Sequence, residues 1–233
     1  MFYTKKFRYF LYIILFVSGC FAQVFAGEYK ETFDTNDTKY NFVCVSDVTQ
    51  MQDLCNKLKS CRGFAVNTET TGLDPVVCDC VGISLCIQEG ESYYIPFGHP
   101  TDEQLTKEQV VYYLKPIFED EKIGKYLHNA TFDMIFLYTM GIDLKGLAFD
   151  TCMAAYCLNP LSRYSLKELS EKYGHKDFVD AYQILKLTKV LAKEIEKEGL
   201  RDLCRVRLVL IEVDYENLKE KVNVQIIPVA PEY

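Results

Sequence analysis

The chain has 233 residues, which is enough for one well-buried domain with extensions. Hydrophobic residues at 49% and charged residues at 25% are ordinary values for a globular protein. The formal net charge of −7 excludes a general electrostatic attraction to nucleic acid, so we do not expect broad coating of DNA. It does not exclude a small acidic site whose own metal ions receive phosphates.

The N-terminal segment has the charged and hydrophobic regions of a secretory signal. Three basic residues precede the apolar run 9–17. Two cleavage sites fit the sequence: 17–20 resembles a lipoprotein box that would lipidate Cys20, and 24–26 is a small-residue site. The run is also long enough for an uncleaved membrane anchor. We therefore predict a signal peptide or membrane anchor over residues 1–26, or an intracellular protein if the start codon is misassigned.

Three further segments follow the N-terminal one. Residues 27–46 are polar and acidic and are interpreted as a linker leading into a first strand. Residues 47–200 are interpreted as one folded domain, and 201–233 as a C-terminal extension that is too short for another large domain.

Within the domain, strand and helix patterns alternate. An amphipathic helix follows Asp47, its predicted N-cap. The predicted strands are 63–70, 76–88, 92–97 and 123–127, with a tight hairpin between the second and third. The other predicted helices span 106–119, 152–158, 165–173 and 180–198, and one more begins around Thr131.

Ten cysteines are accompanied by only three histidines and no C-x-x-C pair, which argues against a zinc cluster. Cys78, Cys80 and Cys86 share one strand parity with Gly82 and Ser84, as expected for a face of small residues under a helix. Because Cys is among the most buried residue types, we predict mostly free thiols.

The segment 64–75 is the most informative stretch. An apolar run passes into a polar alternation and is then broken by Gly and Pro, as in a buried strand that ends in a turn. The alternation places Asn67 and Glu69 on one face and Thr68 on the other. Two acidic residues at this spacing would hold divalent cations through oxygen ligands, but the first of them is an amide here.

A second polar segment has the sequence H-N-A-T-F-D. A strand delivers Asn129, and Asp133 falls in the first turn of the next helix, where the helix dipole favours a carboxylate. Phe132, Ile135 and Phe136 have core-facing spacing, so we expect Asp133 to be free to face a cleft. The alternative is an ordinary acidic residue at a helix N-terminus.

These segments resemble the 3′–5′ proofreading exonuclease domain of the DNA polymerase I family. Its first motif is F-A-x-D-T-E-T-x-x-L-D, its second is H-N-x-x-F-D, and residues 149–160 are similar to its F-D-T-x-x-A-A-Y-L-L-N-P. The resemblance covers about residues 47–200. It implies an RNase-H-like α/β fold, with three antiparallel strands, then parallel strands, and helices on both faces.

The resemblance also implies hydrolysis of phosphodiester bonds at a 3′ end with two metal ions, Mg²⁺ or Mn²⁺. The implied catalytic residues are Glu69, Asp133 and Asp180, which with Asn67 are also the implied metal ligands. The implied substrate-binding residues are Thr70, Leu73, Asn129 and Phe132. By contrast, Asp150 is interpreted as a helix cap and not as a catalytic residue.

The third motif departs from the family pattern Y-x-x-x-D-A. The residues that follow match best when Asp180 is the family aspartate, which places Lys176 where the tyrosine is expected. Tyr173 and Asp177 have the same spacing and remain an alternative. About one helix pair is missing at this point.

Two functional interpretations follow. The first is a stand-alone exonuclease acting on 3′ ends of single-stranded DNA, or of RNA, with activity reduced by Asn67 and the shortened third motif. The second is a catalytically inactive protein of the same fold that binds nucleic acid or serves as a scaffold.

Overall fold

A computed structural model describes residues 10–11, 41–74, 77–100, 104–173, 180–201, 208–212 and 223–227. The strands are β1 (Phe10–Leu11), β2 (Asn41–Cys44), β3 (Gly63–Thr70), β4 (Cys80–Gln88), β5 (Glu91–Pro96), β6 (Gly124–Leu127), β7 (Leu147–Asp150), β8 (Leu208–Glu212) and β9 (Asn223–Ile227). The helices are α1 (Val48–Ser60), α2 (Lys107–Phe118), α3 (Ala130–Thr139), α4 (Thr151–Leu158), α5 (Leu166–Lys172) and α6 (Asp180–Lys197). These elements form two compact units, a larger one within residues 28–204 and a smaller one.

The larger unit is built on a six-stranded mixed sheet with the order β2-β5-β4-β3-β6-β7. Strands β3, β4 and β5 are antiparallel, and β6 and β7 run parallel to β3, as predicted. The sheet has two strands more than the four predicted ones, because β7 pairs with β6 at one edge and β2 pairs in parallel with β5 at the other. Strand β2 lies in residues 27–46, which were predicted to be a linker, so the sheet begins before the predicted domain boundary at 47.

The side-chain alternation of β3 divides the core between the two faces of the sheet. Phe64 and Val66 pack into a large cluster with side chains of α1, α2 and α3. Ala65 points the other way and packs with Cys86 and residues of α6. Helices therefore cover both faces, which confirms the predicted RNase-H-like arrangement.

Local sequence signals account for where the helices begin. Asp47 caps α1 by accepting from the Gln50 backbone N–H at 2.9 Å. Thr106 and Gln109 form a reciprocal capping box at the start of α2. In α6, the predicted apolar stripe of Ile184, Leu187, Leu191 and Ile195 is fully buried.

A bulge in β4 changes the predicted parity of the cysteines. Glu69 pairs with Gly82, but the next residue of β3 pairs with Cys80, so Val81 is the extra residue. Cys80 therefore joins the cluster on the α1 side, whereas Cys86 stays under α6. The strand also begins at Cys80 and not at residue 76.

One charged side chain is fully buried in the sheet. Lys125, on β6, is 0% exposed, and its Nζ donates to the Asp120 carbonyl at 2.6 Å. Burial lowers the pKa of this amine to about 8. The sequence pattern did not indicate this residue as part of the core.

The smaller unit contains an antiparallel three-stranded sheet in which β1 pairs with β8 and β8 with β9. Of the predicted signal or anchor, the structure describes only the two residues of β1, and these give a signal peptide no support. No helix in the described part of the chain is both long and apolar enough to span a bilayer. Membrane attachment through the N-terminus, including lipidation of Cys20, stays a prediction outside the described residues.

The eight cysteines in the described ranges are thiols, and none of them forms a disulfide with another. For these residues the prediction of free thiols is confirmed. Cys20 and Cys204 lie outside the described residues.

Candidate active site

The end of β3 brings the first motif to the face of the sheet that α6 covers. Asn67 and Glu69 share this face, and the Asn67 Nδ2 donates to the Glu69 Oε1 at 3.0 Å. A weaker bond joins the same nitrogen to the Thr68 carbonyl at 3.4 Å. The two side chains are therefore together, as the alternation predicted, with the amide serving as a neutral donor to the carboxylate.

Asp133, from the second motif, meets the same strand at Thr68. Its Oδ1 accepts from the Thr68 backbone N–H at 2.8 Å and from the Thr68 hydroxyl at 2.7 Å. The side chain is only 2% exposed. The prediction that Asp133 faces an open cleft is therefore wrong.

The rotation of α3 explains this difference. The buried residues of the helix are Ala130, Asp133, Phe136 and Leu137, whereas Ile135 is only partly buried. The helix is thus turned so that Asp133 lies in the buried stripe. Its cost of burial is offset by the two hydrogen bonds from Thr68.

Asp150 fixes the start of α3 and of α4 at once. Its carboxylate accepts backbone N–H bonds from Asn129 at 3.0 Å and Ala130 at 2.9 Å, and from Cys152 at 2.9 Å and Met153 at 3.2 Å. The predicted cap is confirmed, and the structure adds that one carboxylate serves two helices. Asn129 itself adopts the left-handed region, with φ 58° and ψ 55°.

Asp180 is the first residue of α6, which packs across the sheet on the side of Glu69. Ala181, Ile184 and Leu185 of this helix pack with Ala65 of β3. Burial is the main cause that raises the pKa of Glu69 to about 7, and the negative charge of Asp180 is the second cause. The hydrogen bond from Asn67 lowers this pKa.

Asp133 has a similar electrostatic environment. Burial is the main cause that raises its pKa to about 7, with smaller contributions from the charges of Asp150 and Glu69, and the Thr68 hydrogen bonds act in the opposite direction. Glu69 therefore interacts electrostatically with both Asp133 and Asp180. Even so, no three Asp, Glu, His or Cys side chains in the described ranges converge as a ready-made metal site.

The donor set is chemically suited to a hard divalent cation. Three carboxylates and the amide oxygen of Asn67 are the oxygen ligands that Mg²⁺ and Mn²⁺ prefer. The raised pKa values of Glu69 and Asp133 show carboxylates that are buried near other negative charge, which is the situation that a bound cation would relieve. These residues would hold the ion.

The four predicted substrate-binding residues differ in accessibility. Leu73 is 58% exposed, and Asn129 is also exposed. Phe132 is partly buried and packs on Phe136, with ring centroids 4.9 Å apart. The Thr70 hydroxyl donates to the Gly72 carbonyl at 2.8 Å and holds the turn after β3. Leu73 and Asn129 are therefore exposed, whereas Phe132 and Thr70 are only partly exposed.

Asp180 as the acid of the third motif, and Asp177 as its alternative, stay predictions, and the structure tests only the position of Tyr173. Lys176 and Asp177 lie outside the described residues. The Tyr173 hydroxyl donates to the Glu194 Oε2 at 2.7 Å. Glu194 is about 21 Å along the α6 axis from Asp180, at 1.5 Å per residue. Tyr173 therefore lies far from Asp180 and is not a tyrosine of this site.

Sequence reasoning missed a row of residues beside the first motif. Asn67 pairs with Ser84 on β4, and Ser84 pairs with Tyr94 on β5. The Tyr94 hydroxyl hydrogen-bonds the His99 Nε2 at 2.5 Å and occupies the volume that a Cβ on Gly82 would need. The signal was present, because period-2 alternation places Gly82 and Ser84 on one face, but strand pairing was needed to bring them next to Asn67.

Comparison with known proteins agrees with the resemblance found in the sequence motifs. A family model described as 3′-5′ exonuclease matches residues 42–201. DNA polymerase I of Chloroflexus aurantiacus is 35% identical over 221 residues, which are 82% of this chain and 23% of that protein. DNA polymerase I of Pseudomonas aeruginosa is 32% identical over 157 residues, which are 64% of this chain and 17% of that protein. The chain thus spans less than a quarter of the length of these relatives.

Solved structures show the same fold at low identity. The POL domain of Pol1 from M. smegmatis, in complex with DNA primer-template and dNTP, superposes with a TM-score of 0.59 at 20% identity, covering 71% of this chain and 29% of that one. Escherichia coli RNase D, an exoribonuclease, gives 0.53 at 22%, covering 71% and 49%. Brucella melitensis NrnC with bound Mg²⁺ gives 0.52 at 16%, covering 71% and 86%.

Proposed function

Because the chain belongs to the 3′-5′ exonuclease family, we propose that it hydrolyses phosphodiester bonds at the 3′ end of single-stranded DNA. One observation carries this proposal. Glu69 interacts electrostatically with both Asp133 and Asp180, which supports a site that draws its acids from three separate sequence motifs. Perturbed carboxylates grouped in this way are typical of catalytic sites.

The cofactor of the proposed reaction is Mg²⁺ or Mn²⁺, held by Glu69, Asp133, Asp180 and Asn67. Divalent cations at such a site supply the activation of a water molecule and the stabilisation of the leaving 3′ oxygen. The side chains of the protein hold these carboxylates in position. Asn67 fixes one oxygen of Glu69, and Thr68 fixes one oxygen of Asp133.

DNA is favoured over RNA as the substrate. The relatives with 35% and 32% identity are DNA polymerases, whereas the RNA-degrading neighbour shares only the fold. The exposed Leu73 and Asn129, near the ends of β3 and β6, are the accessible groups for a terminal base and its phosphate. With a net charge of −7, we expect the protein to hold only the 3′ end and to bind weakly elsewhere along the strand.

A second candidate function is supported by the chemistry at position 67. The amide brings no negative charge, and its nitrogen is used to donate to Glu69. A pair of divalent cations is less well neutralised next to an amide than next to a carboxylate. The alternative is therefore a protein that binds nucleic acid 3′ ends, or acts as a scaffold, without cleaving them.

The test is an exonuclease assay on 5′-labelled single-stranded DNA with Mg²⁺ or Mn²⁺. We expect slow release of mononucleotides by the wild-type chain, faster with Mn²⁺, and a rate increase in Asn67→Asp. Asp133→Ala in that background should abolish cleavage, whereas Asp143→Ala, at an aspartate with a 55% exposed side chain, should not change it.

The outcomes separate the two candidates. Cleavage by the wild-type chain supports the exonuclease. Cleavage only by Asn67→Asp identifies a binding protein with an otherwise intact site. If neither form cleaves while both are folded, the proposed activity is wrong and the shortened third motif is the defect.

A further inference from the structure

Ser84 is an anomaly in the core beside the first motif. Its side chain is 1% exposed, and its Oγ is the one buried side-chain oxygen or nitrogen in the described residues that has no hydrogen-bond partner. A buried hydroxyl without a partner costs about 1–3 kcal/mol, so such groups are rare in folded proteins. The position of Ser84 therefore needs a physical explanation.

Within the sheet, the neighbours of Ser84 leave one candidate partner. On one side Ser84 pairs with Tyr94, whose hydroxyl is turned away to His99. Along its own strand the same-face neighbours are Gly82, which has no side chain, and Cys86, whose thiol donates to the Gln88 and Glu91 carbonyls. On the other side it pairs with Asn67. Directly paired side chains have Cβ atoms about 4.5–5.5 Å apart, which is within hydrogen-bonding reach for this pair.

The amide explains why the bond to Asn67 is not made. The hydrogen bonds of Asn67 are donated by its nitrogen, mainly to the Glu69 Oε1 at 3.0 Å. That bond sets the orientation of the amide and hence of its only acceptor oxygen. A carboxylate has two acceptor oxygens and would present one to Ser84 in either orientation.

We propose that Ser84 is a positioning residue for the side chain at position 67, and that its hydroxyl is placed to donate to a carboxylate there. In the natural chain Asn67 leaves this donor unused. Ser84 acts through residue 67 and has no contact with substrate in this assignment. The effect on folding is independent of the proposed function, whereas the effect on metal binding rests on it.

The test is a double-mutant cycle of Ser84→Ala and Asn67→Asp, followed by urea unfolding without divalent cations. Ser84→Ala should leave the wild-type folding equilibrium unchanged or make it more favourable, because it removes an unpaired buried hydroxyl. In the Asn67→Asp background it should lower the folding equilibrium constant about tenfold, or about 1.4 kcal/mol. Ser92→Ala, at another buried serine two residue pairs away, is the matched control and should have the same effect in both backgrounds.

A second readout is Mn²⁺ affinity, measured from the electron paramagnetic resonance signal of free Mn²⁺. Ser84→Ala should weaken binding by at least about threefold in Asn67→Asp and leave the wild-type value unchanged. If no form binds Mn²⁺, the proposed function fails, while the unfolding data still decide the role of Ser84.

Equal effects of Ser84→Ala in the two backgrounds would overturn the proposal. If Asn67→Asp does not fold, a crystal structure of the wild-type chain decides. An ordered water that joins the Ser84 Oγ to groups other than residue 67 would refute the assignment. A Ser84 Oγ that faces only the Asn67 side chain would support it.

Discussion

Lys125 provides a quantitative test of the structure through the pH dependence of folding. Its amine is fully buried in β6, and the pKa is lowered from 10.5 to about 8 by burial. A lowering of the pKa from 10.5 to about 8 corresponds to about 3 kcal/mol of folding free energy.

The sign follows from proton binding. Between pH 8 and pH 10.5 the unfolded chain holds the proton on Lys125 and the folded chain releases it. Stability from this residue therefore rises with pH in that interval: the full penalty applies below pH 8 and disappears above pH 10.5. Cysteine and tyrosine groups titrate at similar pH, so the wild-type curve alone does not isolate Lys125.

The assay compares urea unfolding of the wild-type chain and Lys125→Met from pH 7 to pH 11. We expect the free energy of unfolding of the wild type to rise by about 3 kcal/mol relative to Lys125→Met across this range. Lys59→Met, at an exposed lysine of α1, should run parallel to the wild type. A constant difference between the wild type and Lys125→Met would refute the burial of a charged amine in β6.

Two further predictions concern residues that position the site. Asp150→Ala removes the cap of both α3 and α4, so in urea titrations it should lower the free energy of unfolding by about 2 kcal/mol, at about 1 kcal/mol per cap. Ser165→Ala removes a single cap and should lower the free energy of unfolding by about half as much. Equal losses in the two variants would contradict the double cap. Gly82→Ala places a Cβ on the Tyr94 hydroxyl and should destabilise the protein by about 1–3 kcal/mol in the same titration. Combining it with Tyr94→Ala should be less than additive, and full additivity would contradict this contact.

Local signals in the sequence were sufficient for much of the fold. The strand 63–70 is observed at its predicted bounds. The predicted cap Asp47 begins its helix, and the helix predicted to start at residue 106 is capped by Thr106. Both kinds of prediction depend on interactions within a few residues, such as side-chain alternation and a capping hydrogen bond. The contact between Asn67 and Glu69 also follows from alternation alone.

Contacts between distant segments decided how the motif residues are oriented and which residues are buried. Periodicity shows that α3 has a buried stripe, but only packing against β3 turned the helix so that Asp133 lies in that stripe beneath Thr68. The burial of Lys125 and the partnerless Ser84 depend on which strands are neighbours in the sheet. Strand pairing brings together residues that are far apart in the chain, and a periodic pattern does not show which strand is the neighbour of a given strand. The sequence by itself therefore determined most of the elements and the motif residues, whereas the tertiary structure decided which strands form the sheet edges and how the motif residues face one another.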